Sequence, residues 1–378
     1  MGLSEMFTRL ADRQRADGML DSALQASLAA VAPVYATGAY LNRMAHDLGL
    51  VRREVLPATV FSVGNLTLGG TGKTPFCLWL IEWMREQGRQ PGILTRGYGR
   101  EDERRLMIVH DGRRLRATTR QAGDEPVLLA KTLGNVPVVA CADRIRGGRY
   151  ALRKFKKLDT LVLDDGFQHH ALARQADIVL VDSTVSLRSL RLFPRGSLRE
   201  APPTLARAHL VVLTRWSQAD QPRSILREVR RFAPGVPVAR TNIEITGARR
   251  LSDGAEIPLE ELQGRSAYLA AGVANPRSVR QSVLDLGMKL TGARRLPDHA
   301  TFTRRSVVRL ENTRRKRKAD YLVVTEKDAV KLEELGNLPD SLVALRARVV
   351  PVEEKDARIM NRVLKARLEA GVVRGYLR

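Results

Sequence analysis

The sequence predicts an α/β protein, in which a parallel sheet is covered by helices on both faces and carries a phosphate-binding loop. Three observations indicate this fold. Short apolar runs alternate with helical patterns from Pro57 onwards, a glycine-rich turn stands between one such run and a helix, and a similar alternation restarts after about residue 240. Short, continuously apolar strands separated by helices are typical of a parallel sheet buried on both sides. We therefore expect an α/β/α sandwich, followed by a second, smaller α/β domain and preceded by a helical segment that associates with a membrane.

The strands and helices of the sandwich follow from this alternation. Apolar runs too short for helices predict strands at 60–63, 92–95, 106–109, 136–140, 160–163, 178–181 and 210–213. Amphipathic stretches predict helices at 76–84, 125–133, 144–155 and 223–232. Pro234 and Pro237 then break the pattern.

The second α/β pattern is shorter. We expect strands at 267–270 and 321–324 and helices at 276–286, 304–318, 327–335 and 355–370. These patterns divide the 378 residues into an N-terminal segment (1–55), a phosphate-binding domain (56–240) and a smaller C-terminal domain (241–378).

The run Ser62 to Pro75, SVGNLTLGGTGKTP, is the most informative motif of the chain. A glycine-rich turn between strand and helix directs backbone N–H groups and the positive end of the helix at anionic oxygens. The closing Gly-Lys-Thr predicts that Lys73 reaches the β- and γ-phosphates of a nucleotide and that the Thr74 hydroxyl holds Mg²⁺. The cradle itself is predicted to be Gly69, Gly70, Thr71 and Gly72. The strict motif has glycine where this chain has Thr67, so a chance glycine-rich turn is the alternative.

A second motif, Leu161 to His170 or LVLDDGFQHH, places two carboxylates after a buried strand. Acidic residues at this position hold Mg²⁺ in phosphate-loop proteins, and ligands of open α/β sheets bind at these strand ends. Asp164 and Asp165 are therefore candidate metal ligands. A plain Asp-Asp-Gly turn is the alternative.

Three other segments carry weaker signals. Residues 95–100, TRGYGR, offer two cations and a tyrosine among glycines. In GDEP, Asp124 is predicted to cap a helix, which is the usual role of such an aspartate. His299, in Pro-Asp-His, is a candidate catalytic residue, and a structural role is the alternative. Residues 325–328, TEKD, are predicted to start a helix.

Charge restricts the classes of partner. The chain has 64 Lys and Arg against 41 Asp and Glu, a net charge of +23, which predicts nucleotides, nucleic acid, anionic lipid or a phosphorylated substrate. An aromatic-rich basic strand pattern and a zinc motif are lacking, so we expect no nucleic-acid partner. Cys77 and Cys141 do not have metal-ligand spacing and fit a reducing cytosol.

Residues 22–42 carry no formal charge. About 20 apolar residues span a bilayer, but here alanine dominates and Pro33 and Gly38 interrupt the stretch. A helix in the membrane interface, a single weak span and a buried helix pair all stay open, and we favour association with the membrane surface.

Taken together, the motifs resemble one family, the tetraacyldisaccharide 4′-kinases of lipid A biosynthesis. The matching segments run in the family's order from residue 62 to about 332 and are SVGNLTLGGTGKTP, TRGYGR, GDEPVLLA, CADR, LVLDDGFQHHALARQADIVLVD, FPRGSLRE, AAGVANP, PDH and VTEKDAVKL. The resemblance implies transfer of the γ-phosphate of ATP, with Mg²⁺, to the 4′-hydroxyl of tetraacyldisaccharide 1-phosphate, which forms lipid IVA. It also implies a lipid-linked disaccharide substrate and work at the cytoplasmic face of the bacterial inner membrane, on its anionic surface; we expect a monomer.

The same resemblance implies roles for single residues. Asp124 is the base that activates the acceptor hydroxyl and is paired with His299 from the C-terminal domain. Lys73 and Arg199 are implied in catalysis, and Glu125 joins the metal ligands. Residues implied near the nucleotide or the transferred phosphate are Arg96, Tyr98, Glu125, Arg144, Arg199 and Glu200.

The chain departs from the family pattern at several points. In the segment FPRGS, Arg195 and Ser197 stand where the family usually has alanine and proline. Arg195 adds a cation near the predicted phosphate-binding region. Ala300 stands where the family often has a second polar residue after Pro-Asp-His. His299 is then the only histidine of that segment, which argues against a mechanism that needs two. The N-terminal segment also lacks aromatic residues that the family leads us to expect.

The second interpretation is a phosphate-loop GTPase or metallochaperone. Such a protein requires a base-specificity motif such as Asn-Lys-x-Asp after a late strand, and Leu213-Thr214-Arg215 stands at that place instead. A binding module without turnover is the third interpretation.

Overall fold

The structure is a computed structural model that describes residues 33, 37–38, 40–41 and 43–371. Its chain forms two compact units, and each is assembled from segments distant in sequence. Of the described residues, the first unit contains those up to 73, residues 165–241 and residues 351–371, and the second contains residues 74–164 and 242–350. The three-part division based on the sequence stays a prediction.

Parallel strands form the centre of the first unit. Its strands are β1 (Thr59–Asn65), β6 (Ala176–Asp182), β7 (Leu210–Thr214) and the start of β8 (Val238–Arg250). They lie in the order β8-β7-β6-β1, with Phe61 opposite Ala176 and Val211 opposite Val238. Each of the first three strands is almost entirely buried, as parallel strands covered on both faces must be.

Helices complete the first unit. α5 (Pro222–Phe232) and a short 3₁₀ helix (Pro202–Arg207) pack into the same apolar cluster as β6 and β7. Another helix, α10 (Glu354–Glu369), is tied to β8 by Arg240, whose Nη2 lies 2.8 Å from Oδ2 of the buried Asp356.

The second unit contains two groups of strands. In the first group, β2 (Pro91–Thr95), β3 (Met107–Asp111), β4 (Pro137–Ala140) and β5 (Thr160–Asp164) lie in the order β5-β2-β4-β3, and only β3 is antiparallel to its neighbour. The helices among them are α1 (Lys73–Glu86, entered from the first unit), α2 (Thr119–Ala122), α3 (Asp124–Leu133) and α4 (Arg144–Lys154).

The second group contains the later strands of that unit. The remainder of β8 is followed by β9 (Glu256–Ile257), β10 (Ser266–Ala271), β11 (Lys289–Arg295), β12 (Tyr321–Thr325) and β13 (Leu342–Pro351), in the order β11-β10-β12-β13-β8, with β9 beside β8. The helices are α6 (Leu259–Leu262), α7 (Pro276–Asp285), α8 (Arg304–Lys316) and α9 (Glu326–Glu333). Two apolar clusters, one containing Leu322 and the other Val323, hold these elements together.

Every strand and helix predicted from the sequence is present to within a few residues at each end, and the α/β fold is confirmed. Three longer strands were missed, namely β8, β11 and β13. β8 and β11 contain several polar and basic residues, and β11 lies at the end of its strand order, where one edge has no strand partner within the described residues. The predicted cap of α3 is also wrong: Gly123 is the N-cap and Asp124 is the first helical residue.

The interval 22–42 lies largely outside the described residues. Among those that are described, no helix combines the length and apolarity needed to cross a membrane.

Candidate active site

The phosphate loop begins at Asn65, where β1 ends, and continues to the start of α1 at Lys73. Gly69 and Gly72 have φ of 111° and 90°, in the region that favours glycine. The Thr71 hydroxyl is buried, and no partner for it is found within the described part of the chain. Most buried side-chain hydroxyls have a hydrogen-bond partner, and an anionic oxygen bound in the loop would supply one for Thr71.

Lys73, Asp165 and Arg199 meet in the first unit. Arg199 Nη1 and Nη2 lie 2.8 Å from Oδ2 and Oδ1 of Asp165, a bidentate pair, and Lys73 Nζ lies 3.5 Å from Oδ1. The Asn65 side-chain oxygen accepts from Lys73 Nζ at 3.2 Å and also from Arg199. Two cations are thus held beside the phosphate loop by one carboxylate and one amide.

The turn that carries Asp165 is fixed locally. Asp165 has φ of 55°, and the following Gly166 and His169 carbonyls accept from Arg174 Nη1 at 2.7 and 3.0 Å. Phe167 packs so closely on β1 that a Cβ on Gly64 would lie 2.5 Å from the Phe167 Cβ. This contact explains why the sequence has glycine at position 64.

The segment that carries Arg199 is anchored on the phosphate loop by its backbone. Leu68 N donates to Ser197 O and Arg199 N donates to Leu66 O, both at 2.7 Å. Arg195, the departure from the family pattern, is exposed in the same segment. Arg199 is therefore placed by backbone pairing.

Glu200, next to Arg199, is buried. Its Oε1 accepts from Gln168 Nε2 at 3.0 Å, and its Oε2 from Arg207 Nη2 at 2.8 Å. Gln168 also donates to Asn65 O at 3.1 Å. This network joins the Asp-Asp-Gly turn to the end of β1.

Asp164 and Thr74 belong to the second unit. Asp164 is buried, with Oδ2 accepting from Thr95 Oγ1 at 3.0 Å and Oδ1 accepting from Cys77 Sγ at 3.8 Å. Each of these two residues is adjacent in sequence to a residue of the first unit described above: Thr74 follows Lys73, and Asp164 precedes Asp165. Within the described residues no group of three or more His, Cys, Asp or Glu side chains is placed to hold a metal ion alone. Hydroxyl and carboxylate oxygens are nonetheless the ligands that Mg²⁺ takes, together with substrate phosphates.

Asp124 and His299 contact each other in the second unit. His299 Nδ1 lies 2.9 Å from Asp124 Oδ1 and 3.1 Å from Oδ2, and the backbone N–H of Glu125 donates to Oδ1 at 2.9 Å. Asp124 is only 4% exposed, because it starts α3 at the buried edge of that helix. His299 has a φ of 58°, a left-handed conformation that is uncommon for a non-glycine residue and is found at functional sites.

Neighbouring charges keep the Asp124 carboxylate ionised. Burial raises its pKa, but the hydrogen bond from His299 and the charges of Lys327, His299 and Lys331 together outweigh burial and hold the pKa well below its usual range. Burial lowers the pKa of His299, yet the hydrogen bond to Asp124 leaves that pKa raised. The pair therefore favours carboxylate and imidazolium.

Two lysines of α9 converge on this pair, and the sequence reasoning missed both. Lys327 Nζ lies 3.0 Å from Glu125 Oε1 and 2.9 Å from Asp298 Oδ1, and Lys331 Nζ lies 3.1 Å from Asp124 Oδ2. The available signal was TEKD at the end of β12, which was interpreted only as a helix start. That interpretation is also confirmed, because Thr325 caps α9. Asn65 and Asp298 are the other site residues that were not singled out.

The remaining predicted residues lie in the second unit and are placed differently. The Tyr98 ring centroid lies 5.7 Å from that of His299, so Tyr98 joins the Asp124 cluster. Arg96 is exposed and pairs with Glu103 at 3.1 Å. Arg144 is buried at the start of α4 and donates to Ala142 O at 2.9 Å.

Comparison with known proteins finds relatives that match most of the chain. A family model described as tetraacyldisaccharide-1-P 4′-kinase matches residues 24–369. The tetraacyldisaccharide 4′-kinase of Geobacter metallireducens is 36% identical over 83% of this chain and 90% of its own length, and that of Syntrophobacter fumaroxidans is 39% identical over 74% and 73%. A crystal structure of LpxK from Aquifex aeolicus in complex with ATP is similar at 31% identity with a TM-score of 0.69, covering 90% of this chain and 99% of that one.

Proposed function

The chain belongs to the tetraacyldisaccharide-1-P 4′-kinase family, and from this premise we propose how its residues carry out the reaction. The enzyme transfers the γ-phosphate of ATP to the 4′-hydroxyl of a tetraacyldisaccharide 1-phosphate. The observation that carries the proposal is the contact between Asp124 and His299, since a kinase acting on a sugar hydroxyl needs a positioned base. ATP as donor is supported by the Aquifex relative, which was crystallised with ATP.

The donor phosphates are held on the first unit. Backbone N–H groups of Gly69 to Gly72 and the Thr71 hydroxyl face anionic oxygens, and Lys73 neutralises the β- and γ-phosphates. Arg199, held by both oxygens of Asp165, presents its guanidinium beside Lys73. Such preorganised cations stabilise the charge of a transferring phosphoryl group.

Thr74, Asp164 and Glu125 are the residues of the second unit that would hold Mg²⁺, and Asp165 is the candidate ligand of the first unit. Their oxygen donors fit a hard cation, and Mg²⁺ would neutralise charge on the phosphates.

Asp124 receives the acceptor proton. As the 4′-oxygen bonds to the γ-phosphorus, its proton passes to the Asp124 carboxylate, and the bond to the β-phosphate oxygen breaks to release ADP. His299 donates to Asp124 from Nδ1 and holds the carboxylate towards the acceptor. A base of this kind contributes on the order of 10²- to 10⁴-fold to the rate.

The enzyme works as a monomer on the anionic cytoplasmic face of the inner membrane. Exposed apolar side chains support the contact with a membrane surface: Leu48 and Leu50 are 66% and 78% exposed, beside Arg52 and Arg53. Apolar side chains flanked by cations suit an anionic interface, where each buried CH₂ contributes about 0.8 kcal/mol. In vesicle flotation we expect the double variant Leu48→Asp, Leu50→Asp to lose binding and the control Val308→Asp, at a valine 57% exposed on α8, to keep it.

The test of the kinase activity is direct. Purified protein in detergent micelles with Mg-ATP and tetraacyldisaccharide 1-phosphate should give the 4′-phosphorylated product by mass spectrometry. GTP in place of ATP, and omission of the acceptor, are the controls. Hydrolysis of GTP that does not depend on the acceptor would instead support the GTPase interpretation, and no product under any condition would refute the kinase proposal.

A further inference from the structure

We propose that Lys331, on helix α9, is a positioning residue for the Asp124 base. This inference rests on the function proposed above and adds a residue whose role neither the motifs nor the comparisons assign. Lys331 does not contact the acceptor in the proposal. It acts through Asp124 by fixing the orientation of the carboxylate.

Both oxygens of the Asp124 carboxylate have donors. Oδ1 accepts from the backbone N–H of Glu125 at 2.9 Å and lies 2.9 Å from His299 Nδ1. Oδ2 accepts from Lys331 Nζ at 3.1 Å and also lies 3.1 Å from His299 Nδ1. Because both oxygens have a donor, the carboxylate plane cannot rotate about χ2 without the loss of a charge-assisted hydrogen bond.

Lys331 is itself held in place. Its side chain is only 11% exposed, its Nζ lies 3.6 Å from Oδ1 of the fully buried Asp328, and it lies 5.6 Å from the centroid of the Phe302 ring. Asp328 is anchored in turn by the Gly272 N–H at 2.9 Å and the Thr325 hydroxyl at 2.9 Å. An ammonium group restrained in this way is a fixed point from which to orient a partner.

Lys327, one turn earlier on α9, contacts the residues that are adjacent in sequence to Asp124 and His299. It joins Glu125, which follows Asp124, to Asp298, which precedes His299. Residues at i and i+4 lie on the same face of a helix, so one face of α9 contacts both halves of the site. The helix therefore connects the start of α3 with the loop that follows β11.

Replacement of Lys331 should disturb the orientation of the Asp124 carboxylate more than it affects folding or the binding of ATP. A displacement of about 1 Å at a reacting group costs on the order of 10²-fold in rate. Loss of a residue that orients a metal-ligating side chain typically costs about 10- to 100-fold in affinity or activity, and we expect the same order for Lys331, which orients a carboxylate. ATP is held by the phosphate loop, so its affinity should not change.

The experiment compares Lys331→Met, Lys331→Arg and the matched control Lys316→Met, an exposed lysine of α8. We expect Lys331→Met to lower kcat about 10- to 100-fold with an unchanged ATP KM, and Lys331→Arg to recover part of the loss. In an Asp124→Asn background Lys331→Met should have no further effect on single-turnover rates. The proposal would be overturned if Lys331→Met lowered the single-turnover rate by the same factor in the wild-type and Asp124→Asn backgrounds, or if it left kcat unchanged.

A second measurement does not depend on turnover. The Nδ1–H proton of His299, assigned by its loss in His299→Gln, should give a downfield NMR signal that shifts in Lys331→Met and not in Lys316→Met. If wild-type protein lacks kinase activity, the proposed function fails while this signal still tests the positioning. An unchanged signal in folded Lys331→Met would refute the role of Lys331.

Discussion

His299 Nδ1 lies 2.9 Å from Asp124 Oδ1, although 175 residues separate them in the chain. The aspartate opens α3, and the histidine follows β11 in a left-handed conformation. Both belong to the second unit, assembled from segments before residue 165 and after residue 241.

Asp124→Asn should lower kcat on the order of 10²- to 10⁴-fold, because an amide cannot accept the acceptor proton. Steady-state kinetics should show a nearly unchanged KM for ATP. Asp340→Asn, at an exposed aspartate, is the matched control and should retain full activity. Wild-type activity of Asp124→Asn would place the base elsewhere.

The contribution of His299 to stability should depend on pH. Its pKa is raised in the folded protein, so its contribution is fully present below the unfolded value of about 6.5 and is lost as pH rises through the folded pKa. The Tm difference between wild type and His299→Gln should therefore shrink as pH increases above about 6.5. Thermal melts across this range test the sign, and a difference that grows with pH would contradict the raised pKa.

Arg199→Lys should not be a conservative change. The guanidinium contacts both oxygens of Asp165 at 2.8 Å, a fork that a single ammonium cannot reproduce. We expect kcat to fall on the order of 10²-fold, comparable to the loss of one transition-state donor. Arg195→Lys, at an exposed arginine of the same segment, should change kcat little.

Gly64→Ala should destabilise the first unit by about 1–3 kcal/mol through overpacking. The new Cβ would lie 2.5 Å from the Phe167 Cβ and 2.8 Å from its backbone N, so β1 or the Asp-Asp-Gly turn must move. Urea unfolding measures the cost. Gly38→Ala, whose new Cβ meets no atom of the described residues within 4 Å, is the control, and an equal free energy of unfolding for both variants would show that the turn adapts.

Much of the fold was predictable because its strands have a simple physical signature. A parallel strand buried on both faces must be apolar throughout, so β1, β5, β6 and β7 stand out as short continuous runs. β11 does not, because its sequence KLTGARR is largely polar and is stabilised by its pairing with β10. Whether such a sequence forms a strand depends on its pairing with a neighbouring strand and not on its own composition.

The sequence by itself determined which groups of this protein can do chemistry. A glycine-rich loop that stands between a strand and a helix and closes in Lys73 predicts phosphate binding from the sequence, since its backbone geometry is local. Only the tertiary structure decided which groups act together. Lys331 and Lys327 have no local motif, and their contacts with Asp124 and Glu125 arise because α9 packs beside α3. Ion pairs between residues distant in sequence depend on packing, which no local pattern of residues can specify.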